Sequence, residues 1–283
     1  MRTLLVLAPA LGIAVVLGAL WTSGRAKSAS ALPAPLPGAI VLAELFTSEG
    51  CSSCPPADEL LSRLTRQQPL GGITILGMSE HVDYWNDLGW TDPFSSADYS
   101  RRQSDYLSRL PNGAGNSVYT PQMVIDGAAE AVGSDASDVS RKIALAAARQ
   151  KAAIRLTTLP SQAGSLQLQI KVEIPQEITA AEPSDILVAV TEDNLSSAVR
   201  HGENSGRHLE HTAVVRHLQS VAVLKGQERE WSGTASIAVA PEWKPADLKA
   251  IAFLQEQRSR HILGAAWTHL ASSQPAPTEP PSS

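Results

Sequence analysis

An α/β domain followed by a mostly β, sandwich-like domain is the fold class this sequence predicts, on three observations. Residues 39–151 read in the order strand, helix, strand, polar insertion, hairpin, helix, which suits a sheet with helices on its faces. From residue 152 onward the apolar period falls to two, as half-buried strands require. With 283 residues and 43% hydrophobic content, the chain is long enough to bury two cores.

The first thirty-one residues carry Arg2, an apolar run from Thr3 to Trp21, and small residues ending in Ala29-Ser30-Ala31. That is a signal-peptide layout, and an uncleaved anchor is its alternative because Arg25 and Lys27 follow the run. A Pro-rich linker over 32–38 leads into Ile40 to Phe46, a short apolar run suited to a buried strand. Asp58 to Arg66 has apolar residues at helical spacing, and Ile73 to Met78 reads as a second strand. A polar and aromatic insertion follows, with its own helix over Asp98 to Leu110. Gln122 to Asp126, a turn at Gly127 and Glu130 to Val132 form a hairpin, before a helix over Ser137 to Gln150. In the second half, over 152–271, strands are expected at Ile154 to Leu156, Leu166 to Ile174, Ile186 to Thr191, His211 to His217, Thr234 to Val239, Lys249 to Gln255 and Ile262 to Trp267. Short strands at such spacing point to a β-sandwich. The Pro- and Ser-rich stretch 272–283 has the composition of a disordered tail.

Cys51-Ser52-Ser53-Cys54 contains both cysteines of the chain, at the junction between the first strand and the first helix. A bond across two residues restrains little of an unfolded chain, so the pair suits electron exchange better than stapling. At a helix N-terminus the free N–H groups and the positive end of the dipole favour a thiolate. In such a motif the first cysteine lies at the exposed cap, which makes Cys51 the nucleophile and Cys54 the resolving thiol. Pro55 and Pro56 fit the first helical turn. The alternatives for this pair are an inert local disulfide and half of a metal site.

LFTSEGCSSCPPADELLSRL, SEHVDYWNDLGWTDPFSSADYSRRQSDY, VYTPQMVIDG and GENSGRHLEHTAVVR resemble, from about Ile40 to Ala266, a family of uncharacterised exported bacterial proteins with a thioredoxin-like fold. The resemblance implies that Pro121 is cis and faces the dithiol, with Thr120 before it. Ser52-Ser53 between the cysteines differs from the Gly-Pro of thioredoxin itself, so the resemblance implies no particular potential.

The end of the second strand opens on the same side as the end of the first, which brings His81, Asp83, Tyr84 and Trp85 toward the cysteines. His81 is expected to hold the Cys51 thiolate as a cation or to accept its proton as a base. Tyr84, Trp85 and Trp90 are expected to pack against the insertion's own helix, with an aromatic, substrate-binding wall for an extended peptide as the alternative. Glu44, on a strand among apolar neighbours, is expected to be a neutral carboxyl exchanging a proton with Cys54, although it lies one residue away from the buried acid of thioredoxin. Glu49 is expected to be a solvated loop carboxylate. His201, His208, His211 and His217 have irregular spacing and flank Gly, Asn and Ser, which reads as a loop or docking surface, not a metal site.

The whole chain has 23 basic and 28 acidic residues. Without Arg2, Arg25 and Lys27 of the leader the balance is 20 against 28, so nucleic acid is not an expected partner. The leading expectation is an exported, periplasmic or secreted, thiol-disulfide oxidoreductase that acts on protein or peptide thiols without a diffusible cofactor or metal. Its alternatives are a Cu(I)-binding protein using Cys51, Cys54 and His81, and a non-catalytic interaction module on the same scaffold.

Overall fold

A computed structural model describes residues 32–110, 117–179 and 182–270 of the chain. The expected leader and the expected tail lie outside these residues. Among these residues, thirteen strands and three α-helices are arranged around one eight-stranded sheet of order β13-β12-β7-β10-β2-β1-β3-β4. The result is a mixed α/β molecule dominated by strands.

Strand β1 (Ala39–Thr47) is apolar on both faces, as a central strand must be, and runs parallel to β2 (Ile73–His81) from Ala39 opposite Ile73 to Thr47 opposite His81. The crossover is α1 (Pro55–Gln67). Its Leu60, Leu61 and Leu64 pack with Val41, Ala43, Leu45 and Ile75, and α3 (Ala136–Ala147) adds Val139 and Ile143 to the same core. Helix and strand approach closely at Gly77, where a Cβ would stand 2.5 Å from Thr65 Cγ2. On the other side of β1, β3 (Gln122–Ile125) pairs antiparallel and continues through a tight turn into β4 (Ala129–Val132). The expected elements of the first half are all present, with their ends shifted by a few residues.

The opposite face of β1 and β2 carries Leu42, Leu76 and Met78, which pack against Tyr99 of α2 (Ala97–Leu107). The same cluster contains Leu187 and Ala189 of β7 (Ser184–Glu192), Val215 of β10 (Val214–Leu224) and Phe253 of β12 (Leu248–Glu256). β10 extends the sheet at the free edge of β2, through a parallel bridge between Val214 and Ser79. The expectation of two domains with separate cores is corrected here: strands of the second half complete the first half's sheet and share this core. The period-two pattern marks where the connections change, and it carries no information about which edge the later strands join.

A second layer is formed by β5 (Ala153–Leu159), β6 (Ser165–Glu173) and β11 (Glu230–Ala238), paired antiparallel in the order β11-β6-β5. Alternate residues Leu166, Leu168, Ile170 and Val172 of β6 face Ile186, Val188 and Val190 of β7, so two sheets enclose an apolar interior. β13 (Ile262–His269) closes the edge of the large sheet beyond β12.

One expected strand is divided. His211 to His217 splits into β9 (His208–His211) and the start of β10, because Ala213 takes a left-handed φ of 55° that no regular strand accepts. β9 instead pairs with β8 (Leu195–Ala198) as a hairpin of its own. Its connecting loop, 199–207, reaches across to the cysteines. Among the described residues no helix is long and apolar enough to cross a membrane.

Candidate functional site

Cys54 is the N-cap residue of α1, with Pro55 and Pro56 filling the first turn where helical N–H partners are absent. Cys51 precedes it by a single turn, and the two are joined in a disulfide with their Cα atoms 5.4 Å apart. Thr120-Pro121 is cis. Pro121 is buried, and around Gly133 its Cβ converges with Leu45 and with Ala57 of the first turn of α1. Thr120 Oγ1 accepts from Trp85 Nε1 at 2.9 Å, and the same indole residue packs against Gly50, where a Cβ would meet Trp85 Cβ at 3.0 Å. Trp85 therefore bridges the cysteine loop and the Thr120-Pro121 turn.

The expected exposure of Cys51 is absent: both cysteines are fully buried, while Ser52 and Ser53 between them face solvent. The loop between β8 and β9 is hydrogen-bonded to this turn. Asn204 Nδ2 donates to the main-chain oxygens of Glu49 at 2.8 Å and Cys51 at 3.0 Å, and Ser52 N donates to Glu203 Oε2 at 3.1 Å. Glu203 and Asn204 lie about 150 residues from the motif, so spacing gave no sign of them.

Beneath the cysteine loop the ends of β1 and β2 hold a buried polar cluster. His81 Nδ1 donates to Asp92 Oδ2 at 2.7 Å, and that oxygen also accepts from Glu49 N at 2.8 Å. Burial alone pushes His81 down, but the Asp92 carboxylate outweighs it and holds the imidazole above its ordinary value. Asp92, which burial alone would raise, is held below the usual carboxylate range by His81 and by the N–H groups of Glu49 and Phe94. His81 is thus committed to Asp92, and the structure shows no hydrogen bond from it to either cysteine.

Glu49 is corrected from a solvated carboxylate to a buried one, accepting from Trp90 Nε1 at 2.7 Å and lying 2.9 Å from His211 Nε2. The His211 ring stands edge-on to His81 at 4.9 Å between centroids. Of the four histidines expected in a loop, His211 belongs to this cluster, while His201 and His208 are exposed and His217 is half-buried on β10. Asp58, one turn inside α1 from Cys54, is pushed up to about 6 by burial, partly offset by His81 and His211. Thr47 Oγ1, Asp58 Oδ1, His81 Nε2 and His211 Nδ1 are all shielded from water without a hydrogen-bond partner among the described residues. Such a concentration of unpaired polar atoms is rare in a folded interior. No three His, Cys, Asp or Glu side chains among the described residues are grouped to hold a metal ion; the set Cys51, Cys54 and His81 is not assembled while the sulfurs are bonded to each other.

Glu44 is a second correction. Strand alternation places it on the α2 face of β1 with Leu42 and Phe46, where Arg102 Nε donates to it at 2.7 Å and Tyr106 Oη at 2.6 Å. It is an ion-pair partner in the packing of α2 and has no hydrogen bond to Cys54. Tyr84 stands 39% exposed and donates to Gln103 of α2 at 3.1 Å, so the insertion does pack on its own helix, whereas Trp85 reaches the site.

Among solved structures, HBP35 of Porphyromonas gingivalis matches with a TM-score of 0.62 at 13% identity, over 88% of this chain and 81% of that one. At that identity the likeness shows the fold alone. A domain of the outer membrane lipoprotein Omp28 from Porphyromonas gingivalis matches with a TM-score of 0.28 at 15% identity, over 42% of this chain and 86% of that one, which carries no argument. No curated protein matches the chain.

Proposed function

The chain belongs to the family described as Protein of unknown function (DUF1223), whose model matches residues 42–255, and for it we propose an exported thiol-disulfide oxidoreductase acting on protein or peptide thiols through Cys51 and Cys54. The observation that carries this reading is a closed Cys51–Cys54 bond at the amino end of α1, with Ala57 of its first turn and the buried Pro121 both lining the space at Gly133. A thioredoxin-like first half accords with the parallel β1-α1-β2 unit, the antiparallel β3–β4 pair on the far side of β1, and α3 beside α1. Export accords with the leader layout of the first thirty-one residues.

In the exchange, a substrate thiolate attacks Cys51 Sγ; the Cys51–Cys54 bond breaks, a substrate–Cys51 mixed disulfide forms, and Cys54 leaves as a thiolate that takes up a proton. A second substrate thiolate then attacks the substrate sulfur of the mixed disulfide and displaces Cys51. The substrate is oxidised by two electrons and the protein pair is reduced. The reverse sequence reduces a substrate disulfide, with Cys54 resolving the mixed species. The positive end of the α1 dipole adjoins the cysteine pair, where the charge on Cys51 develops.

Complete burial of both sulfurs favours a second reading, an inert bond inside an interaction module. The two readings separate in one set of measurements. Under exchange, equilibration with thiol buffers gives a defined potential, Cys51→Ser abolishes reaction with a small disulfide, and Cys54→Ser accumulates mixed disulfide. Equal activity in the wild type and both variants, or a bond that mild reductants never open, refutes exchange.

A further inference from the structure

The main-chain groups of the cysteine turn that an approaching segment would meet are already occupied, by side chains from the other half of the chain. Glu203 takes the N–H of Ser52, and Asn204 takes the carbonyls of Glu49 and Cys51. Both belong to the loop 199–207, whose base is closed by Val199 N donating to Arg207 O at 3.0 Å and Gly206 N donating to Val199 O at 2.8 Å. Arg207 Nη1 donates to Asn204 Oδ1 at 2.9 Å, orienting the amide so that its nitrogen faces the cysteine turn. The tip is seated at Gly202, whose φ of +75° suits glycine and where a Cβ would stand 3.2 Å from Trp90 Cβ.

Resting on the exchange reading above, we propose that the loop 199–207 is a strap that shuts the Cys51–Cys54 bond and occupies the place of an extended peptide segment carrying the substrate cysteine. The peptide class follows from what the strap holds: a main-chain donor on Ser52 and main-chain acceptors on Glu49 and Cys51, groups that the backbone of a peptide can take in the strap's stead. The strap acts in two ways. It lies against the turn that holds the fully buried Cys51, and it sets the Glu203 carboxylate on the N–H of Ser52, at the end of the helix where a Cys51 thiolate would otherwise draw its stabilisation. Opening exposes the sulfur and removes a negative charge from its surroundings in a single movement. The seat of the strap is firm while its hold is modest, since Glu203 is exposed and its bond to Ser52 competes with water.

The test is the rate at which dithiothreitol opens the bond in the folded full chain, read by trapping the freed thiols with a maleimide, in the wild type, Glu203→Ala and Asn204→Ala. The expected result is opening at least about tenfold faster in Asn204→Ala and several-fold faster in Glu203→Ala, since each loses hydrogen bonds made only in the closed form. Measurable rates equal to wild type in both variants overturn the strap and leave exchange standing. A bond that stays closed in all three proteins, under conditions that reduce the urea-unfolded chain, overturns exchange and the strap with it. Should Asn204→Ala fail to fold, Glu203→Ala, whose side chain lies in solvent, decides the matter alone.

Discussion

Asp58 is the residue whose environment departs furthest from its sequence context. It sits on an amphipathic helix between Ala57 and Glu59, which reads as a surface position, yet its carboxyl is raised to about 6 by burial against the ends of β1 and β2. A carboxyl whose folded value lies above its unfolded one, near 3.8, binds its proton more tightly in the folded chain, so its contribution to stability is favourable below that lower value and is lost as pH climbs toward 6. Asp58→Asn is therefore expected to stabilise the protein by about 2–3 kcal/mol at pH 8 and to change little at pH 4. Urea titrations at the two pH values check this; equal effects at both would show that burial, not charge, sets the cost. His81 and Asp92 act in opposite senses. The raised imidazole stabilises below its unfolded value and loses that contribution as pH rises through its folded one, and the lowered carboxylate loses its contribution as pH falls. Little of these three shifts could be inferred from the residues' neighbours in sequence, because apart from the Phe94 N–H beside Asp92 the perturbing groups lie on other segments of the chain.

At the scale of elements, capping separates the helices. α3 starts at Asp135, whose carboxylate accepts from the N–H groups of Ser137 and Asp138, and α2 starts at Ser96, which accepts from Asp98 N. α1 has no side-chain cap: Cys54 occupies that position, and the prolines remove donors that would have needed one. Asp135→Ala is expected to cost about 1 kcal/mol, visible as a lower urea midpoint at unchanged slope. These starts were legible in advance, since Ser, Asp and Pro before an apolar period are local signals. The β8–β9 hairpin was not, because β8 is short and half-exposed and β9 ends at the left-handed Ala213.

For the whole molecule, the decisive feature is the edge of β2. Left bare, its main chain would be free to pair with another copy, and Leu42, Leu76 and Met78 would keep only α2 as cover. β10 occupies that edge and β7, β12 and α2 cover that face. A chain ending at Lys151 is accordingly expected to aggregate when expressed alone, although it contains the cysteines, the cis-proline and both helices of the dithiol core. Size-exclusion chromatography with circular dichroism tests this, and a soluble folded monomer would show that the halves are independent after all. The same connection places the 199–207 loop on the cysteines, so the second half is a structural partner of the site.

Local chemistry was sufficient to place the dithiol at a strand-to-helix junction, to set the order of elements through the first half, and to give the period-two strands of the second, because each of these depends on residues within a turn or a pleat of one another. The resemblance, not the spacing, singled out Pro121 as cis. Which edge the later strands join, which face Glu44 takes, why His211 and Asp58 meet His81, and what lies over Cys51 were decided only when the chain closed on itself. Those outcomes depend on contacts between residues tens to more than a hundred positions apart, formed when apolar faces are buried together, and no local pattern specifies them.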